Sequence, residues 1–157
     1  MEDISYLTET RFSDLALDER LLSGLTDAGF DFCTKIQAES LPIALTGQDV
    51  AGQAQTGTGK TAAFLLAIFN HLLKNPKPES ATPTSIRSLV LAPTRELAIQ
   101  IHRDAEVLSK STGLKLGLAY GGTDYQQQRE TLAAGVDVLI GTPGRLIDFY
   151  KQDVFDL

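Results

Sequence analysis

Residues Ala54-Gln55-Thr56-Gly57-Thr58-Gly59-Lys60-Thr61 constrain this chain more than any other stretch. They lie between a short apolar run, 49–53, and a strongly apolar segment, 62–73. A glycine-rich loop ending in Gly-Lys-Thr, placed between a strand and a helix, is a phosphate cradle. Gly57 and Gly59 allow the tight turn that points successive N–H groups inward. Those donors and the positive end of the following helix make an anion site. Lys60 supplies a mobile point charge for the β- and γ-phosphates of a nucleoside triphosphate. Thr61 supplies a hard oxygen for Mg²⁺. The general pattern has glycine at its first position; Ala54 stands there and fits wherever φ is negative.

The rest of the chain repeats a strand–helix alternation. Strands are predicted at 49–53, 88–92, 115–120 and 137–141. Each is followed by a helix, at 60–73, 95–109, 124–134 and 145–152. Such alternation means βαβ units and a parallel sheet covered by helices on both faces. Ahead of it, residues 1–10 read as a flexible lead-in. A helix is predicted from Asp18 to Ala28 and stopped by Gly29, and a second is capped by Thr34. Pro42 predicts a kink or a break in that second helix. Pro76, Pro78 and Pro83 mark 74–85 as a surface connector. The run Gln126-Gln127-Gln128 reads as a solvated helix face.

Charge and cysteine content exclude several functions. With 14 Lys and Arg against 20 Asp and Glu, net charge is −6, which argues against broad electrostatic binding of a polyanion and leaves room only for a small organised site. The single cysteine, Cys33, excludes an internal disulfide and points to a reducing, cytoplasmic setting. No apolar run is long enough to span a bilayer. His71 and His102 are far apart and are expected on helix surfaces rather than in a metal site.

In α/β sheets, ligands bind beyond the C-terminal ends of the strands. Here those ends lead into Pro93-Thr94-Arg95, Gly121-Gly122 and Thr142-Pro143-Gly144-Arg145. Taken singly, each is an ordinary cap or turn. Together they place backbone donors, glycines and two arginines on one expected edge, as a phosphodiester backbone requires. Upstream, the Gln37 amide matches the adenine N7 and N6–H₂ pair and mismatches guanine. Phe12 or Phe30 could stack on the base, and an ordinary surface role for Gln37 remains open.

Taken in order and spacing, Phe12, the 29–37 segment, 54–61, 93–98, Gly121-Gly122 and 142–145 resemble the first RecA-like domain of DEAD-box RNA helicases. The likeness runs from Phe12 to Arg145, and 50–61 and 112–122 look most like the bacterial RhlB type associated with RNA degradation. It implies a RecA-like P-loop NTPase fold: α/β, with a parallel sheet flanked by helices. It implies a lead-in at 1–11 and a partial RecA-like domain at 12–157. Phe12, Thr34 and Gln37 resemble the adenine-reading motif. Ala54, Gln55, Thr56, Gly57, Thr58, Gly59, Lys60 and Thr61 resemble the ATP site, with Lys60 and Thr61 as catalytic groups and Thr61 as the Mg²⁺ ligand. Pro93, Thr94, Arg95, Gly122, Thr142, Gly144 and Arg145 resemble positions that grip RNA through its backbone, with little sequence preference.

Lys35 stands where the family has proline, and is expected to soften the entry to the second helix and weaken base recognition. The sequence reaches Leu157 without an Asp-Glu-Ala-Asp box, a Ser-Ala-Thr motif or a second RecA-like domain. Weak nucleotide binding with negligible ATPase alone is therefore expected. Partners expected from the resemblance are RNA and RNA-degradation machinery, with no membrane. Two other readings stay open: a different P-loop enzyme such as a small-molecule kinase, and a non-catalytic module that only holds RNA or a nuclease.

Overall fold

The computed structural model describes residues 6–157, so residues 1–5 of the expected lead-in lie outside the described residues. The chain divides into two compact units, Met1–Asn75 with Val107–Thr112, and Pro76–Glu106 with Gly113–Leu157.

The first unit opens on strand β1 (Leu7–Arg11), which falls inside the expected lead-in. It pairs antiparallel with β2 (Phe32–Thr34), Leu7 opposite Thr34 and Arg11 opposite Phe32. A 3-10 turn follows at Phe12–Asp14. Helix α1 (Glu19–Asp27) begins where Asp18 accepts the Arg20 N–H, and its end is followed by Gly29 at φ 79°. Helix α2 (Lys35–Ala44) continues past Pro42 and ends two residues later, so no break occurs at the proline. Helix α3 (Lys60–Lys74) packs against α2, and Leu65, Leu66 and Phe69 are fully buried from it. Burying side chains of this size contributes about 1.5–3 kcal/mol each.

One expected strand is not formed. Residues 49–53 carry no regular structure and are exposed, with Val50 at 42%. An extended segment becomes a strand only by pairing its backbone groups with a neighbour. Residues 49–53 have no such ladder; the sheets formed among the described residues are β1-β2 and one in the second unit.

That second sheet is parallel, in the order β3 (Ser88–Leu91), β5 (Val138–Gly141), β4 (Leu116–Ala119). Ser88 and Leu116 both align with Val138, and Leu91 and Ala119 with Gly141. Helix α4 (Arg95–Ser109) links β3 to β4, α5 (Tyr125–Ala133) links β4 to β5, and α6 (Pro143–Lys151) follows β5. Helix α6 starts two residues before the sequence expectation because Pro143 at its first position is already set to helical φ. The central strand β5 is buried throughout. Its Leu139 joins Ala119, Leu132, Leu146 and Phe149 in one apolar cluster. At the ends of the strands backbones approach closely: a Cβ on Gly141 would lie 2.3 Å from the Ala119 carbonyl oxygen. At their starts Asp137 accepts from the Arg87 guanidinium at 3.2 Å and from the Lys115 N–H at 2.9 Å.

Candidate functional site

In the first unit, the loop 54–59 turns through Gly57 at φ 80° and Gly59 at φ 86°, the latter capping α3. Both values lie in the left-handed region that glycine enters without cost. Thr58 Oγ1 donates to the Gln55 carbonyl at 2.7 Å and tightens the loop. The Lys60 ammonium is folded back onto the loop and donates to the carbonyls of Ala54 and Gln55. It therefore lies at the mouth of the cradle on exchangeable partners, where phosphate oxygens can replace the two carbonyls. Thr61, the next residue, is half-buried in the first turn of α3. The first N–H groups of a helix have no acceptor inside it and carry its positive pole. Two left-handed glycines, a helix start and an inward lysine fit a polyphosphate.

Gln37 is 6% exposed and engaged on both sides of its amide. Its Oε1 accepts the Thr34 N–H at 2.9 Å, while the Gln37 N–H points to Thr34 Oγ1 at 3.5 Å, a reciprocal cap on α2. Its Nε2 donates to the Gly59 carbonyl at 3.1 Å. The ordinary surface role is thus not what the structure shows; Gln37 ties the start of α2 to the cradle. One Nε2–H and one Oε1 lone pair remain for a purine edge. Lys35, expected to loosen this entry, occupies the first position of α2 with the cap intact. Phe12 is 3% exposed and donates its N–H to the Asp31 carbonyl, whereas Phe30 is 52% exposed. Asp14 and burial act on a neighbour, Cys33: desolvation first, then the nearby carboxylate, push its thiol up to about 11.

In the second unit, the turns after β3, β4 and β5 lie on one edge because the three strands are parallel and in register. Thr94 Oγ1 accepts the Leu97 N–H at 3.2 Å and caps α4, directly after Pro93. Arg95 opens that helix and donates to the Gly121 carbonyl at 3.3 Å. Gly122 has φ 84°, and a Cβ there would lie 2.4 Å from the Arg95 Nη1. Thr142 caps α6 through its backbone, with its own N–H on the Ala119 carbonyl; its hydroxyl makes no cap bond. Gly144 faces open space. Arg145 packs over the rings of Tyr125 at 4.9 Å and Phe149 at 5.3 Å. Two helix starts and two guanidiniums thus share one edge of an acidic protein, a local positive field against the net charge.

Gln128 was missed as a contributor to this edge. Gln126 and Gln127 are solvent-exposed as expected, but Gln128 is half-buried and its amide reaches the Gly121-Gly122 turn. The signal was its spacing: Tyr125, Gln128 and Leu132 fall at i, i+3 and i+7, the inward stripe of α5. Among the described residues no group of three or more His, Cys, Asp or Glu could hold a metal ion, and no helix is long and apolar enough to cross a membrane.

A family model described as DEAD/DEAH box helicase matches residues 34–156. Proteins named ATP-dependent RNA helicase RhlB from Psychromonas ingrahamii and Vibrio vulnificus are each 60% identical over 153 residues. That covers 98% of this chain but 37% and 35% of theirs. A crystal structure of a DEAD box protein from the hyperthermophile Methanococcus jannaschii is similar at a TM-score of 0.81 and 31% identity, over 97% of this chain and 39% of that one. The chain therefore spans little more than a third of the length of the curated relatives it matches.

Proposed function

Because the chain belongs to the DEAD/DEAH box helicase family, we propose that it forms the ATP- and RNA-binding part of an ATP-dependent RNA helicase that opens short RNA duplexes. The observation that carries this reading is the loop 54–61, with Lys60 held on the Ala54 and Gln55 carbonyls in front of α3.

Each residue's task follows from its place. Gly57 and Gly59 aim N–H groups at the phosphates. Lys60 exchanges its two carbonyl partners for phosphate oxygens and neutralises part of their charge. The Thr61 hydroxyl, a hard oxygen ligand, would hold Mg²⁺. Bound there, Mg·ATP supplies the free energy of phosphoryl transfer. Gln37 presents its remaining donor and acceptor to adenine and moves with the cradle through Gly59. In the second unit, Thr94, Arg95, Gly122, Thr142 and Arg145 hold a single RNA strand by its phosphates and 2′-hydroxyls, with little reading of sequence. An RNA strand bent to that edge no longer fits its duplex partner. The setting we propose is the reducing cytoplasm, supported by the single thiol, Cys33. Association with RNA-degradation machinery is proposed on the likeness to the RhlB type.

The test is ATP hydrolysis by the complete gene product that carries these residues, with and without single-stranded RNA. Stimulation by RNA and its loss in Lys60→Ala is the expected result. Hydrolysis stimulated by a small metabolite instead would establish the kinase reading, and an intact cellular role in Lys60→Ala would establish the binding-module reading. Co-purification of nucleases with the tagged protein tests the partner proposal.

A further inference from the structure

We propose that Gln128 is a positioning residue, whose amide holds the Gly121-Gly122 turn and the Arg145 guanidinium in a single arrangement ready for an RNA backbone. The inference rests on the RNA-binding reading above and adds a residue that the reading does not use.

A glutamine amide has two N–H donors and two acceptor lone pairs. All four are committed here. Oε1 accepts from the Tyr120 N–H at 3.2 Å and from Arg145 Nη1 at 3.0 Å. Nε2 donates to the Tyr120 carbonyl at 3.1 Å and to Thr123 Oγ1 at 2.6 Å. Bonds to both the N–H and the C=O of one residue are what a neighbouring strand would make. Tyr120 follows the last residue of β4, so the Gln128 side chain extends the ladder by one residue and fixes where the turn begins.

The same oxygen that receives Tyr120 receives Arg145, whose guanidinium is already confined over the Tyr125 and Phe149 rings. Arg95 reaches the turn separately, through the Gly121 carbonyl. Both arginines of the proposed RNA edge are therefore tied to one four-residue turn, and Gln128 carries the larger share of those ties. An edge whose cations and turn are ordered before RNA arrives loses less freedom on binding. Releasing the amide should weaken RNA binding without touching nucleotide chemistry in the other unit.

The test uses Gln128→Ala and Gln128→Glu in the complete gene product, with poly(U) oligonucleotide as the RNA. Glutamate keeps the side chain's shape and an oxygen for Arg145, but has no N–H for the Tyr120 carbonyl, so it also covers the case in which the alanine variant does not fold. The RNA concentration giving half-maximal ATPase should rise about tenfold in both variants, the usual consequence of losing a preorganised contact set. The KM for Mg·ATP and the kcat at saturating RNA should stay within about twofold of the unsubstituted protein. An unchanged half-saturating RNA concentration in a folded variant overturns the inference. So does a parallel fall in kcat and rise in the KM for ATP, which marks general damage. If the unsubstituted protein ignores RNA, the RNA reading itself fails, and this shows before any substitution is made.

Discussion

Gly59→Ala gives the sharpest test of how the cradle is assembled. At φ 86° an alanine carries the left-handed penalty of about 1–2 kcal/mol. Its Cβ would also fall 2.4 Å from Gln37 Nε2, 3.1 Å from Gln37 Cδ and 3.2 Å from Thr34 Oγ1. The Gln37 amide must swing away, which removes its 3.1 Å bond to the Gly59 carbonyl and disturbs the cap on α2. Because Gln37 is almost fully buried, those losses add about 1–2 kcal/mol. The whole substitution should cost about 2–4 kcal/mol, which lowers Tm by roughly 6–12 °C in a chain of this size. In a Gln37→Ala background nothing remains for the new methyl to displace except the milder Thr34 contact. There Gly59→Ala should cost only the backbone part, about 1–2 kcal/mol. The coupling, about 1–2 kcal/mol, is read from urea unfolding of the four proteins in a double-mutant cycle. Additivity within about 0.3–0.5 kcal/mol would refute the contact as the element joining α2 to the phosphate loop.

Other outcomes follow from single side chains. Asp137→Ala removes the acceptor that holds the starts of β3 and β4, and should cost about 1.5–3 kcal/mol by urea denaturation. Asp18 is held at about 2 by its hydrogen bond to Arg20, so its contribution is present above the ordinary carboxylate range and lost as pH falls from about 4 to 2. Since the Arg20 side chain of that pair is half-exposed, solvent screens the ion pair, and Asp18→Ala should cost only about 1 kcal/mol at pH 7, most of it the helix cap, and flatten the acid limb of a stability–pH curve. Cys33, raised to about 11 by burial, should resist a thiol reagent at pH 8 until the protein unfolds; stability should also decline as pH rises from about 9 to 11, a decline absent in Cys33→Ala.

Much of the site was legible because its residues act through the backbone near them. Gly57, Gly59, Lys60 and Thr61 form a cradle by local conformation, and the loop with α3 behind it stands where the spacing put it. The Thr34–Gln37 cap and the Thr94 cap are local in the same sense. The second-unit alternation also yielded its parallel strand direction, since parallel strands need crossover connections of the kind these helices make. What failed were statements about pairing. Segment 49–53 has strand-like residues but no ladder, and β1 falls inside the expected lead-in because its polar alternation becomes a strand only beside β2.

The sequence by itself determined which segments turn and cap, and so where the glycine-rich loop and the helix behind it form and which family the motifs belong to. Only the tertiary structure decided what each polar side chain is bonded to. The Gln37 amide reaches across 22 residues to Gly59, and Gln128 joins Arg145, 17 residues away, to the Tyr120 peptide. Side-chain hydrogen bonds of that range depend on distances of a few tenths of an ångström between separate elements. Periodicity and composition carry no information at that scale; packing of the helices sets it.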